Sequence, residues 1–113
     1  MTPISYAEQI GWQRRAHLLL GKLLERAAKE GLPPIRWSVI PSGATLHGEI
    51  SSFSTRNASG TYAAWRDAIG VPEKEAEPVN RQGETRLTAV WEHIERVQVV
   101  LTASIWDDEP AGE

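Results

Sequence analysis

The sequence predicts an α+β fold, a two-layer sandwich in which two helices cover one face of a four-stranded antiparallel sheet. Two segments show helical spacing of apolar residues next to recognisable helix caps. Two other stretches alternate apolar and polar side chains, as half-buried strands do, and each is long enough for a hairpin. The predicted order is therefore α-β-β-α-β-β, in a single domain over residues 1–113.

The first helix has clear start and stop signals. Ser5 followed three residues later by Glu8 is a capping box, so we expect the helix to begin at Tyr6. It ends before Gly31, which favours the left-handed cap conformation, and the two prolines that follow cannot continue a helix. Gly21 within the segment predicts close packing against a sheet. The apolar residues at helical spacing include Ile10, Leu20, Leu23, Leu24, Ala27 and Ala28.

The first hairpin follows this helix. The sequence IRWSVI alternates, with Ile35, Trp37 and Val39 on one side of a predicted strand. The turn signal Pro-Ser-Gly comes next, and residues 44–51 resume the alternation. This pattern predicts two antiparallel strands joined by a short turn.

The second helix is expected between a capping segment near Asn57 and a stop at Gly70, with Trp65 on its apolar face. Val71 to Glu84 contains two prolines and dense charge with few apolar residues, which predicts a mobile loop. Residues 107–113 are predicted to form a frayed acidic tail.

Residues 87–106 allow two interpretations. Leu87 and Trp91 fit one face of a helix, so a helix is a serious alternative. Against it, the segment from Val97 to Ile105 is rich in β-branched residues and alternates strictly. An isolated two-stranded hairpin is also marginally stable, so the first hairpin needs further strands. We therefore predict a second hairpin, with a tight reversal near Glu92 to Glu95.

Three runs, GLPPIRWSVIPSGATLHGEI, AAWRDAIG and the terminal LTASIW, resemble a group of small uncharacterised proteins of actinobacteria that often accompany mobile elements. The resemblance spans most of Ala16 to Trp106 and implies a helix-hairpin-helix-hairpin fold, with no activity attached. Proteins of this look tend to turn with Asp-Gly between the last strands. This chain has Glu92-His93-Ile94-Glu95 instead, which leaves the register of the last hairpin open.

Composition limits the function classes. The chain has 113 residues, no cysteine and a net charge of -3. The charge disfavours binding of nucleic acid by bulk electrostatics, and the lack of cysteine excludes disulfides, thiolate metal sites and cysteine nucleophiles. No apolar run reaches the roughly 18 residues of a membrane span, and no basic leader precedes an apolar region, so we expect a cytoplasmic protein.

Catalytic patterns are not evident in the sequence. His17, His47 and His93 fall on separate predicted elements and lack metal-ligand spacing, so we expect no metal and no cofactor. His47 and Glu49 on one strand face are the only pair suited to acid–base chemistry, and a surface cross-strand role is the more ordinary interpretation. We expect no enzyme.

The predicted sheet face opposite the helices is the candidate functional surface. It combines β-branched apolar residues with a polar surround, whereas a solvated face usually shows fewer apolar residues. The leading hypothesis is a non-enzymatic protein–protein interaction module, homodimeric through this open face or through a strand edge. The interface residues proposed from the sequence are Arg36, Ile40, His47, Glu49, Arg86, Val90, Val100 and Trp106.

Two other function classes stay open at this point. Nucleic acid could bind to arginines, with bases stacking on an exposed Trp106. An enzyme or small-ligand binder is the third class, although the sequence shows no sign of a pocket. The arginines considered for nucleic acid are Arg14, Arg15, Arg36, Arg86 and Arg96.

Overall fold

The protein is a two-layer α+β structure with two helices and one five-stranded mixed sheet. The computed structural model describes residues 5–40, 44–52 and 57–106. The sheet order is β1-β2-β5-β4-β3, in which β2 and β5 are parallel and the other neighbours antiparallel. The elements are α1 (Tyr6–Glu30), β1 (Arg36–Ile40), β2 (Thr45–Ser51), α2 (Ala58–Ile69), β3 (Lys74–Arg81), β4 (Glu84–Ile94) and β5 (Val97–Trp106).

The α+β class is confirmed, whereas the prediction of a four-stranded, wholly antiparallel sheet is wrong. The last strand, β5, does not extend the sheet at its edge but lies in the middle, between β2 and β4. Its inward side chains explain this position, because Val97, Val99 and Leu101 are completely buried. A central strand can bury such a row on the core side, and β5 pairs there in parallel with β2 and antiparallel with β4.

Strand β3 is the element that the sequence did not predict. It occupies most of the segment 71–84, which was expected to be a mobile loop. The strand pairs only with β4, and its register shifts between Ala76 and Val79, where Pro78 lies. A proline is tolerated at a bulge on an edge strand because it has no N–H to donate. All eight residues of β3 are exposed, so its sequence lacks the apolar alternation that predicts a strand. The predicted tail, 107–113, lies outside the described residues.

Helix α1 begins and ends as predicted. The Ser5 side chain accepts a hydrogen bond of 3.1 Å from the backbone N–H of Glu8, and Gly31 takes φ 69° at the C-cap. The predicted apolar face is wrong in part, because Ile10 and Leu24 are exposed. Gly21 is exposed as well, with no neighbouring atom where a Cβ would stand, so it does not pack against the sheet. The buried residues of α1 are Ala16, Leu19 and Leu23.

Both helices pack on the same face of the sheet and share one core. Trp65 of α2 packs edge-on against Trp37 of β1, with ring centroids 5.4 Å apart at 74°. The Trp65 Nε1 donates a 2.7 Å hydrogen bond to the carbonyl of Pro33. Gly48 of β2 lies beneath Trp37, where an added Cβ would stand 2.9 Å from the ring. The strands contribute buried side chains to this core, namely Leu46, Ile50, Ala89, Trp91, Val97, Val99 and Leu101.

The second hairpin is confirmed, with its reversal at Glu95 and Arg96. Ile94 pairs with Val97 across this two-residue turn, and both turn residues have positive φ, 51° and 66°. Positive φ at both positions is typical of type I′ turns, whose twist matches that of the flanking strands. Within the described residues, neither helix combines the length and apolarity that crossing a bilayer requires.

Candidate interaction surface on the open sheet face

The face of the sheet opposite α1 and α2 is here called the open face. The strand register arranges its side chains in rows, because alternate residues of each strand point to the same side. The central row runs through Ser38, His47, Val100, Val90 and Lys74, from β1 to β3. The register places all eight residues proposed from the sequence on this face, and their role in binding stays a prediction.

The apolar part of the open face is small and central. Val90 and Val100 are direct partners across β4 and β5, and both are half-buried. Ile40 lies at a corner, where it pairs with Thr45, and strand β2 separates it from the valines. The contiguous apolar centre therefore consists of two valines, and the three β-branched residues that the sequence grouped together do not form one patch.

A shallow groove lined by both polar and apolar side chains lies beside the valines. It has a volume of about 400 Å³ and crosses β2, β5 and β4. Four of the proposed residues line it, namely His47, Glu49, Arg86 and Trp106. Thus the structure brings half of the predicted set together at the groove. Arg36 lies next to it, as the register partner of Glu49, while Ile40 lies at the other end of β1.

Hydrogen bonds tie the strands together along this groove. His47 Nε2 lies 2.9 Å from Thr102 Oγ1, which links β2 to β5. Ser104 Oγ donates to the Glu84 carboxylate, which links β5 to β4. The backbone N–H of Trp106 donates to Ser52 Oγ at 3.1 Å. These contacts fix the positions of His47, Thr102 and Ser104 along the groove.

The acid–base pair considered from the sequence, His47 and Glu49, is not hydrogen-bonded in the groove. His47 contacts Thr102 and not Glu49, whose side chain is exposed. A nucleophile and base need a third group that orients the base. Among the described residues, no carboxylate hydrogen-bonds the imidazole of His47, so the pair considered for acid–base work is not assembled.

The open face carries charges of both signs. Arg36 and Glu49 are register partners across β1 and β2. Lys74 Nζ lies 3.1 Å from a carboxylate oxygen of Glu92, and Arg86 Nη2 lies 3.7 Å from one of Glu84. A surface that binds a phosphate backbone concentrates positive charge, so this mixture favours a protein partner over nucleic acid.

The arginines considered for nucleic acid are dispersed. Arg14 and Arg15 belong to α1, on the other side of the sheet, and Arg96 lies in the turn between β4 and β5. Only Arg36 and Arg86 are on the open face, on strands separated by β2 and β5. The structure therefore does not gather the five into one basic patch.

The edges of the sheet are poor sites for pairing with another strand. Pro78 and the register shift interrupt β3, and its charged side chains are exposed. Strand β1 has five residues, and Pro34 precedes it closely. Prolines, charges, bulges and short length are the features that block edge-to-edge association. Of the two interfaces expected from the sequence, the structure thus supports the face better than an edge.

Strand β3 adds residues to the open face that the sequence did not indicate. Lys74, Ala76 and Val79 pair with residues of β4 that point to this side. The only local signal was Gln82-Gly83, a two-residue turn with positive φ at both positions.

No protein-family model matches the chain, and no match was found among curated proteins or solved structures.

Proposed function

We propose that the protein is a non-enzymatic protein–protein interaction module that forms a homodimer through the open face. The observation that carries this proposal is a five-stranded sheet with one face that no described part of the chain covers. Half-buried Val90 and Val100 lie at its centre, and charges of both signs surround them. Interfaces of this kind have an apolar centre and a polar rim.

A second copy suits this face. A two-fold axis that passes near the valine pair would place each row of side chains opposite the same row of the second copy. A charged surface can pair with its own copy across a two-fold axis only if it offers both signs of charge. The open face meets this condition, with cations Arg36, Lys74 and Arg86 beside anions Glu49 and Glu84. A basic surface of one sign would instead repel its copy.

The size of the face sets the expected strength of the dimer. Five strands about 4.8 Å apart, with a mean length of about eight residues at roughly 3.3 Å per residue, give a plane of about 20 Å by 26 Å. This is small beside the roughly 800 Å² that each partner buries in a standard interface. We therefore expect a dimer that dissociates on dilution.

Light scattering across a concentration series tests the proposal with two matched variants. Val100→Glu puts a charge at the centre of the face, and we expect it to prevent pairing through the face because the buried carboxylate has no partner. Val71→Glu is the control, because it makes the same chemical change away from the open face. Val71 lies between α2 and β3 and is 92% exposed. If both variants associate as the unmodified chain does, the open face is not the interface.

Nucleic-acid binding through Arg36, Arg86 and Trp106 is the competing proposal, and the charge pattern disfavours it. A gel-shift series with single-stranded oligonucleotides separates the two, because phosphate contacts weaken steeply as salt rises. Salt-sensitive binding that Arg86→Gln abolishes would favour nucleic acid. The cytoplasmic location expected from the sequence is part of the main proposal, and cell fractionation would test it.

A further inference from the structure

Helix α1 carries a second line of side chains that does not face the sheet. Its members follow one another in steps of four and three residues, the heptad spacing of helix–helix contacts. The buried residues of α1 lie roughly 100° away around the helix axis at 3.6 residues per turn. We call this second line the α1 seam, which consists of Tyr6, Ile10, Gln13, His17, Leu20 and Leu24.

The apolar members of the α1 seam are largely uncovered. Tyr6 is 86% exposed, Ile10 55% and Leu24 49%. Leu20 is half-buried, at the border between the seam and the core. Four large apolar side chains at heptad spacing, two on each side of Gln13 and His17, therefore lie exposed or half-buried along about 27 Å of helix, and exposed apolar surface of this kind is a feature of interaction sites.

We propose that a second copy of the chain covers the α1 seam, with the two α1 helices antiparallel. In one antiparallel register, Tyr6 faces Leu24 of the second copy. In the same register, Ile10 faces Leu20 of the second copy. All four apolar residues then meet apolar residues, twice over, because the contact is two-fold symmetric.

The polar residues of the α1 seam specify this register. Gln13 faces His17 of the second copy, and an amide and an imidazole can hydrogen-bond to each other. A shift by one heptad would place Gln13 against Leu24 and His17 against Leu20, which leaves both polar groups without partners. A polar pair within an apolar line is a known device for selecting one register.

Two further features favour close antiparallel contact. Ala7, Gly21 and Ala28 border the seam on the side away from the sheet, in a heptad row that also contains Arg14, and small residues let two helix backbones approach. Gly21 has open space around it, so no packing within the described residues requires a glycine at this position, where it weakens the helix. Antiparallel helices also place the positive end of each dipole beside the negative end of the other.

This contact is distinct from the dimer proposed above, because α1 and the open face are on opposite sides of the sheet. Both contacts can form at once, so the assembly extends beyond two chains. The α1 contact is inferred from the helix alone and does not depend on the function proposed for the open face.

Introduced cysteines test the register directly, since the chain has none of its own. Tyr6→Cys and Leu24→Cys on one helix stand about 27 Å apart at 1.5 Å per residue, too far for a disulfide within the chain. Under mild oxidation we expect this double variant to run as covalent dimers or larger species on a non-reducing gel. The control pairs Tyr6→Cys with Leu18→Cys, since Leu18 is 65% exposed but lies off the seam, and we expect little cross-linking. Equal cross-linking in both, or in Tyr6→Cys alone, would overturn the antiparallel register.

Light scattering of the cysteine-free variants separates the two contacts. With Val100→Glu removing the open-face contact, we expect dimers held by α1. Adding Leu24→Glu should give monomers, while adding Leu18→Glu should leave dimers. Monomers with Val100→Glu alone would overturn the α1 proposal and leave the open-face proposal standing. Conversely, if Leu24→Glu alone reduces the unmodified chain to monomers, the α1 contact is supported and the open-face dimer fails. Circular dichroism checks that each variant is folded.

Discussion

Gly48→Ala is the sharpest test of the packing between β1, β2 and α2. An alanine Cβ at this position would stand 2.9 Å from Trp37 Cζ3 and 3.0 Å from Ile35 Cδ1. Carbon atoms in contact prefer about 3.5–4.0 Å, so the indole must move by roughly half an ångström or more. The Trp37 ring cannot move freely, because it packs edge-on against Trp65, which is itself 2% exposed.

Two opposing effects set the magnitude of the change in stability. Forcing extra carbon into a packed core costs about 1–3 kcal/mol. Replacing glycine within a strand by alanine recovers about 0.5–1 kcal/mol of conformational entropy. Since a rigid ring pair must shift, the packing cost should win, and we expect a net loss of about 1–2 kcal/mol. For a chain of this size that corresponds to a fall in Tm of roughly 4–8 °C.

Thermal unfolding followed by circular dichroism measures this loss, with Gly11→Ala as the matched control. Gly11 lies in α1 with no atom within 4 Å of an added Cβ, so there the same substitution should stabilise by up to about 1 kcal/mol. The near-ultraviolet signal of the tryptophans should also weaken in Gly48→Ala. If both variants raise Tm, the close contact of Trp37 with β2 is contradicted.

Three further predictions concern single contacts. Trp65→Phe should lower the free energy of unfolding, measured with urea, by about 2 kcal/mol, because the Pro33 carbonyl loses its 2.7 Å hydrogen bond. An unchanged urea midpoint would contradict this contact. Arg96→Gly should stabilise by about 1 kcal/mol, because φ 66° strains a residue with a side chain; destabilisation would place the turn elsewhere. Burial, with Glu75 nearby, raises the pKa of Tyr62 to about 12. The unfolded chain loses this proton near pH 10 while the folded chain keeps it, so this part of the stability should fall between pH 10 and 12. Ultraviolet titration in a Tyr6→Phe background isolates this phenol, and Glu75→Gln should lower its pKa; ionisation near pH 10 would refute the burial.

Local signals predicted most of the helices and strands. The cap at Ser5, the left-handed Gly31 and the alternation of residues 97–105 each act within a few residues, so the sequence alone reveals them. Which side chains point to the open face could be predicted from the same alternation, since successive residues of a strand point to opposite faces. Which of them touch could not be predicted, because His47 lies beside Val100 only through the parallel pairing of β2 with β5.

What the sequence determined by itself was the composition of each layer: two capped helices, strands with one apolar side, and a second side with polar and β-branched residues. Only the tertiary structure decided the strand order, the existence of β3 and the face of α1 that is buried. These features depend on contacts between segments far apart in the chain. Strand β3 has no buried side chain and exists because β4 offers free backbone groups to it. Helix α1 has two lines of apolar side chains, and only one of them can pack on the sheet. Leu19 and Leu23 are buried there, while Ile10 and Leu24 are exposed.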